Sequence, residues 1–402
     1  MEQNQQKNKS LLHDRNLHII FLITLMAVLG VSSITPAFPK IAAQLDIPKK
    51  SIGLLIITFT LPGVFLTPVL GVLADRLGRK RVLAPSLFLF AIAGGLCGFV
   101  RDFHVLLILR FIQGLGAAAL GSLNITIIGD LFEGKKRITA MGYNASVLSI
   151  ATASYPFIGG ALAAIAWYLP FFLPFFAVPV GLAVIFGLQT REPSRAQHLR
   201  DYLGSALKSV KRLRVILYFS VSMMIFIILY GSYLTYLPIF LAERFRFDSL
   251  EIGLVMSVMS IVTAITAAQG GRIASILNEH WMMRLAFGFY ALAMLIFPFS
   301  GSVPALLLPI IFFGIGQGMN MPAIQTLLTS LAPLEYRAAF MSLNGMVLRL
   351  GQTLGPLIMG FVYAGAGLSA TFYAGAVCAI IMGTLLMIFD HARDKSAKNE
   401  FN

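Results

Sequence analysis

Residues 51–73 read SIGLLIITFTLPGVFLTPVLGVL, a continuous run without a charged side chain, and residues 74–81 follow with ADRLGRKR. A helix needs about 20 predominantly apolar residues to cross the hydrocarbon core of a bilayer. The run therefore predicts a membrane-spanning helix, and the charged stretch after it predicts a short loop in water. Twelve such apolar runs occur along the chain of 402 residues. The sequence thus predicts an all-α integral membrane protein with twelve transmembrane helices.

The composition excludes several classes of protein. The chain is 57% hydrophobic and 12% charged, with a mean hydropathy of +0.82. A soluble domain is about 45–50% apolar and about 25% charged, so a soluble enzyme and a disordered scaffold are both excluded. The sequence has no nucleotide-binding glycine loop, no metal-ligand spacing and no nucleophile–base arrangement. We therefore expect no catalytic residues, no metal and no cofactor.

The basic residues predict the orientation of the helices. The net charge is +14, but the lysines and arginines lie in short clusters between apolar runs, which is typical of membrane proteins rather than of nucleic-acid binding. The predicted spans place 23 of them on the side of the chain termini, six on the opposite side and two within spans. This asymmetry predicts a multi-pass protein of the cell membrane with both termini in the cytoplasm and no nucleic-acid partner.

The chain also repeats itself at an offset of 200 residues. The matched pairs include Arg137 with Arg337, Met141 with Met341, Asn144 with Asn344, Pro156 with Pro356 and Gly160 with Gly360. The repeat predicts two pseudo-symmetric six-helix halves, at 17–188 and 215–389. A basic cytoplasmic linker at 189–214 joins them, and cytoplasmic tails at 1–16 and 390–402 flank them. Paired halves of this kind rock against each other around a site near the middle of the membrane.

Three motifs carry a resemblance to a known family. Residues 71–81 form a loop motif between the second and third spans. The fourth span has Leu106, Arg110, Gln113, Gly114 and Gly116, the fifth has Pro156, Gly159 and Gly160, and the eleventh echoes the fifth with Gly355, Pro356 and Gly360. With these motifs the chain resembles the major facilitator superfamily and, within it, the twelve-span drug and metabolite exporters of the drug:proton antiporter type.

The resemblance implies two sets of functional residues and the proton gradient as energy source. Glycines in the loop motif allow a tight turn, and Asp75 can cap a helix or pair across the halves, so that the charge cluster would hold one conformation closed. The gating set is Gly71, Asp75, Arg76, Gly78, Arg79 and Lys80. The helix-packing set is Pro156, Gly159, Gly160, Gly355, Pro356 and Gly360.

Two arginines within predicted spans are candidates for substrate binding or coupling. Arg349 lies about ten residues into the eleventh span, where a charge is costly, and its repeat partner is Ser149. A substrate or counter-ion role is favoured over a structural arginine bound to backbone carbonyls. Arg110 lies nearer the end of its span and either extends to the membrane surface or, as the resemblance implies, tunes proton affinity nearby.

The positions of the acidic residues limit the kinds of substrate that the predicted cavity can bind. None of the 17 carboxylates lies deep in a span, and the nearest, Asp130 and Glu251, lie at span ends. Related exporters often carry an acid in the first span, where this chain reads SSITP at 32–36. A cavity with an arginine and no carboxylate repels cations and favours neutral or anionic molecules.

Polar and aromatic side chains complete the predicted cavity. Tyr230 and Tyr233 share a face of the seventh span at α-helical spacing, and Gln317 and Asn320 share a face of the tenth. The tyrosines either pack in the core or stack on an aromatic substrate.

These observations predict a secondary transporter, without enzyme activity, that exports small organic molecules. The substrate is expected to be aromatic and neutral or anionic, such as a secondary metabolite or siderophore. The alternatives are a broad-specificity multidrug efflux pump, an uptake permease for a nutrient anion and, from another class, a membrane sensor with a transporter fold. The expected partners are the substrate and the lipid bilayer, and we expect a monomer.

Overall fold

The structure is a computed structural model that describes residues 11, 13–190, 213–332 and 337–400, and in that part of the chain every regular element is helical. The helices up to residue 190 are α1 Arg15–Ser32, α2 Phe38–Gln44, α3 Leu54–Leu77, α4 Arg79–Leu96, α5 Phe103–Leu131, α6 Gly134–Ile165 and α7 Ala177–Gly187, with 3-10 turns at Thr35–Ala37, Lys49–Ser51 and Leu169–Phe176.

The helices after residue 212 repeat this arrangement. They are α8 Leu213–Ile227, α9 Leu237–Phe245, α10 Ser249–Ala268, α11 Gly270–Ile296, α12 Val303–Leu331, α13 Arg337–Ala366 and α14 Leu368–Glu400, with a π-helical segment at Ile228–Tyr236 and a 3-10 turn at Phe297–Phe299. The helices α5 and α12 begin and end 200 residues apart, which confirms the repeat for this pair. The predicted linker and the outermost tail residues lie mostly outside the described residues.

Eleven helical stretches in the described part of the chain are long and apolar enough to cross a membrane. The predicted third span is α4, an 18-residue helix that begins with Arg79, Lys80 and Arg81. These three charges make α4 less apolar than the eleven other stretches, although residues 82–96 carry no charge. With α4 included the helices correspond to the twelve predicted spans, and the all-α class is confirmed.

Three spans differ locally from the prediction. The sixth begins as a 3-10 turn because Pro170 and Pro174 remove backbone donors from the segment LPFFLPFF. The ninth extends back to Gly270 across a kink, where Asn278 has φ +52°. The seventh contains the π-helical segment, whose hydrogen bonds run to the fifth residue along the chain.

The two halves meet along two pairs of helices, α3 with α13 and α6 with α10. We call the end of the bundle at which α1 begins the terminal side, and the opposite end the loop side. Contacts between halves are closest on the loop side. A Cβ atom added to Gly160 would fall against the backbone of Ser249 and Gly253, whereas one added to Gly142, nearer the terminal side of α6, meets nothing within 4 Å.

Burial along α10 shows the same asymmetry. All of its buried residues lie between Ser249 and Ser260, and none lies in the terminal-side stretch 261–268. The bundle is therefore closed between the halves on the loop side and open between them on the terminal side.

Candidate substrate site

Arg349 lies midway along α13 at the boundary between the halves. Its alkyl chain packs against Gly63 of α3, where an added Cβ atom would lie 3.1 Å from Arg349 Cδ. Its guanidinium Nη1 donates a hydrogen bond of 3.1 Å to Gln352 Oε1, and the side chain is partly exposed. No described carboxylate forms an ion pair with Arg349. A positive charge thus borders the space that opens to the terminal side.

Tyr230 lies near this guanidinium, within its electrostatic range. It belongs to the π-helical segment, where Thr235 Oγ1 donates a 2.6 Å hydrogen bond to the Tyr230 carbonyl oxygen. The segment approaches α13 closely because Gly231 and Gly355 leave no side chain between the two backbones. The Tyr230 ring is partly exposed and lies 5.7 Å from that of Phe226. A bound molecule could therefore contact the ring and hydroxyl of Tyr230 and the positive charge of Arg349.

The expectation that Tyr230 and Tyr233 share a face assumed an α-helix, and the π-helical segment makes it wrong. The wider turn directs Tyr233 into the core of the second half, where its ring stacks on Phe313 at a centroid distance of 4.7 Å and an angle of 11°. Tyr233 is fully buried, and its hydroxyl has no hydrogen-bond partner among the described residues. It is therefore a packing residue in this conformation.

Gln317 and Asn320 lie in the same core rather than beside Arg349. The Tyr290 hydroxyl donates to Gln317 Oε1, and the Tyr290 ring lies 4.8 Å from Phe313. Asn320 is fully buried near the Tyr290 hydroxyl, although no described group meets its amide in hydrogen-bond geometry. The structure thus brings Tyr233, Gln317 and Asn320 around one aromatic stack, and it places Tyr230 with Arg349.

Arg110 is apart from both groups, inside the first half. It is 1% exposed, and its Nε donates to the Leu55 carbonyl oxygen at 3.1 Å. Its Nη1 donates to Gln113 Oε1 at 2.7 Å, and the guanidinium lies 4.3 Å from the ring centroid of Phe59. These contacts tie α5 to α3, so Arg110 does not extend to the membrane surface. Its Nη2 has no partner among the described residues.

A buried polar cluster in the first half was not predicted as a unit. The Thr24 hydroxyl bonds both Asn124 and Asn144, and it thereby joins α1, α5 and α6. The sequence indicates Asn144 as a residue that joins helices, but nothing in it selects Thr24 and Asn124 as the other members of the cluster. An asparagine in an apolar span is a signal for such a bond, because an unpaired amide is costly in lipid.

The gating set lies at the terminal side. Gly78 has φ +98°, which a residue with a Cβ atom rarely adopts, and it both ends α3 and precedes α4. Arg79 Nη1 lies 2.6 Å from Asp75 Oδ1, and Arg79 Nε lies 2.9 Å from Asp130 Oδ2. Arg76 is exposed, and Lys80 and Gly71 are partly exposed. The ion pairs lie within the first half, as expected where the terminal side is open.

The helix-packing set lies mostly at the loop-side closure. Gly160 and Pro156 contact α10 of the other half, and Pro356 contacts Gly53, which precedes α3. Within the halves, Gly159 meets the Ser33 carbonyl, and Gly355 meets α8 and the π-helical segment. Gly360 lies near the Tyr236 hydroxyl and the Lys50 carbonyl oxygen.

Two polar links between the halves were missed by sequence reasoning. Lys49 Nζ forms an ion pair with Glu243 at the loop side, and the Thr60 and Thr353 hydroxyl oxygens lie 2.8 Å apart. The partners are far apart in the chain and belong to common residue types, so no local pattern marks them. Among the described residues, no group of three or more possible metal ligands is present.

Comparisons with known proteins identify the family to which this helical bundle belongs. The sequence profile of the Major Facilitator Superfamily matches residues 20–276 and 237–402. The chain is 27% identical to Multidrug resistance protein 1 of Bacillus subtilis (strain 168) over 355 residues, covering 87% of this chain and 90% of that protein. It is 25% identical to the Bacillibactin exporter of the same organism over 404 residues, which cover 96% of this chain and 99% of that protein.

A solved structure supports the fold. A variant of the nucleoside transporter NupG superposes with a TM-score of 0.79 at 15% identity, covering 93% of this chain and 99% of that one. The helices, the paired halves and the matched profile lead to one conclusion. The chain is a multi-pass membrane protein and a secondary transporter that belongs to the major facilitator superfamily.

Proposed function

We propose that this transporter exports small aromatic molecules that are neutral or anionic, such as a secreted secondary metabolite or a siderophore. One observation carries the proposal: Arg349 borders the space between the halves at mid-membrane depth, with Gln352 as its hydrogen-bond partner and Tyr230 nearby. A cation in a low-dielectric site attracts an anion strongly and repels another cation. The tyrosine ring adds a surface on which an aromatic substrate can stack.

Export, orientation and energy source form part of the same proposal. The excess of basic residues on the side of the termini favours a cytoplasmic terminal side in the cell membrane. With that orientation the closed loop side faces outward, and the substrate enters from the cytoplasm. We propose the transmembrane proton gradient as energy source, and a monomer without enzyme activity or cofactor as the working unit.

A second candidate is a broad-specificity multidrug efflux pump. It is favoured by the similarity to Multidrug resistance protein 1 of Bacillus subtilis along most of both chains. The similarity to the Bacillibactin exporter favours the narrower function instead. The two candidates differ in the role of Arg349, because a promiscuous pump for cationic drugs gains nothing from a cation in its cavity.

The test compares metabolites inside and outside the source cells with the gene deleted, restored and restored as Arg349→Ala. We expect an aromatic acid or phenol to accumulate inside the deletion strain and the Arg349→Ala strain. Arg272→Ala is the matched control, since it removes an exposed arginine outside the site. Sensitivity to several unrelated cationic drugs without an accumulated metabolite would favour the multidrug pump, as would tight binding of a permanently cationic dye that survives Arg349→Ala.

A further inference from the structure

We infer that the membrane potential drives export at this site, acting on the negative charge of the substrate, while Arg349 serves as the fixed counter-charge that admits the anion to the membrane interior. The inference rests on the proposed function, because it requires an anionic substrate. It assigns the driving force to the electrical part of the transmembrane proton-motive force rather than to the pH difference.

The site carries a positive charge that no described acidic side chain balances. Arg349 is partly exposed at the boundary between the halves, and its guanidinium donates to a neutral amide, that of Gln352. An arginine stays protonated in proteins and is unfavourable inside a membrane without a compensating charge. A bound monoanion supplies that charge. The loaded site is then close to neutral, whereas a bound cation would double the unfavourable charge.

The described helices hold no carboxylate at mid-membrane depth that could carry a proton. The described carboxylates near the membrane lie at helix ends, beside the kink in α11 or in a loop, and most have structural partners. Asp14 and Asp102 cap α1 and α5, and Asp248 with Glu251 forms a capping box on α10. Asp75 and Asp130 bind Arg79, and Glu243 binds Lys49. The charged side chains at depth in the described helices are those of Arg110 and Arg349, which do not exchange protons near neutral pH.

Arg349 lies where the two halves touch. Arg349 lies against Gly63 of the opposite half, and one turn further on Thr353 bonds Thr60 across the same boundary. A charge near the line about which two halves rock crosses little of the transmembrane field. The charge carried per cycle is therefore that of the substrate. With the cytoplasm negative, each exported anion moves down the electrical gradient.

The size of the effect follows from the charge. Moving one elementary charge through 100 mV changes the free energy by about 2.3 kcal/mol, and each 1.4 kcal/mol corresponds to a factor of ten. A potential of 100 mV is then expected to support a gradient of about 50-fold for a monoanion. A neutral aromatic probe of the same shape is expected to equilibrate without accumulation.

The test uses purified full-length protein in liposomes, with a potassium gradient and valinomycin to set the potential and equal pH on both sides. The probes are naphthalene sulfonate, which stays ionised at every usable pH, together with a catecholate, an aromatic carboxylate and neutral naphthol. We expect the anions to accumulate when the vesicle interior is positive, with a transport current of matching sign. A pH gradient at zero potential is expected to drive no accumulation of the sulfonate.

Three variants separate the site from general damage. Arg349→Gln is expected to lose potential-driven uptake, and Arg349→Lys to retain it with altered affinity, because the charge remains. Arg272→Gln removes an exposed arginine and is expected to behave as wild type. Accumulation that follows the pH gradient and ignores the potential would overturn the inference and leave anion export standing. Failure of the wild type to transport any of the anions would instead overturn the proposed function.

Discussion

Thr60 of α3 and Thr353 of α13 join the two halves through a 2.8 Å hydrogen bond between their hydroxyl oxygens. Both side chains are buried, and both lie on the loop side of Arg349. A buried hydrogen bond of this kind contributes about 1 kcal/mol. It therefore helps to set the balance between the state closed on the loop side and its alternative.

Replacement of Thr60 by Val is expected to shift the equilibrium between the two conformations about fivefold away from the state closed on the loop side. The reason is that this state loses a hydrogen bond of about 1 kcal/mol. The measurement is the distribution of distances between spin labels at Lys136 and Arg272, exposed residues of opposite halves on the terminal side. Thr58→Val is the control, because the Thr58 hydroxyl bonds only its own helix, at the Leu54 carbonyl. Equal distributions for both variants would contradict a role for the link.

The ion pair between Lys49 and Glu243 is expected to contribute little, because both side chains are more than 40% exposed. Exposed pairs contribute about 0–1 kcal/mol and weaken in salt. Lys49→Glu should therefore open the loop side slightly in low salt, and the exchange Lys49→Glu with Glu243→Lys should restore closure. Lys50→Glu is the matched control at the next residue. Closure that stays unchanged in low salt after Lys49→Glu would show that the pair has no effect on the equilibrium.

Gly160→Ala is expected to lower transport tenfold or more. The added methyl group would collide with the Ser249 backbone and force α6 away from α10. Gly142→Ala is the control on the same helix, where an added Cβ atom meets nothing within 4 Å. Both variants are compared by transport rate in liposomes at equal protein content. Similar rates for the two variants would mean that close approach of these helices is dispensable.

Thr24→Val is expected to destabilise the first half. It would leave the Asn124 and Asn144 amides without their shared partner inside the membrane. An unpaired buried polar group costs about 1–3 kcal/mol, so the unfolding temperature in detergent should fall by several degrees. Thr126→Val serves as control, because the Thr126 hydroxyl bonds only the Ser122 carbonyl of its own helix. A Thr24→Val protein as stable as this control would show that the amides find other partners.

The sequence predicts most of the fold because a membrane imposes strong rules on composition. Length and apolarity define the spans, and the repeat predicts the 200-residue offset seen in α5 and α12. The depth of Arg349 in the membrane can be predicted from its position within an apolar run. These features depend on residues close together in the chain, or on an offset that is constant along it.

The remaining features depend on contacts that no local pattern records. Lys49 and Glu243 are 194 residues apart, and nothing in either segment selects the other. The π-helical segment packs against α13 where Gly231 meets Gly355, and its wider turn separates Tyr230 from Tyr233. The separation of Arg349 from Gln317 and Asn320 likewise depends on how distant segments pack, because α12 directs its two polar residues into the core of the second half.

Among the described residues, the loop-side closure joins the two halves through close backbone contacts at glycines and prolines, one pair of hydroxyl groups and one exposed ion pair. Contacts of these kinds are weak, so the two halves can separate and close again on the loop side without disturbing the packing of the six helices inside each half. The packing inside each half therefore gives the protein its stability, and the weak contacts between the halves allow it to change conformation during transport.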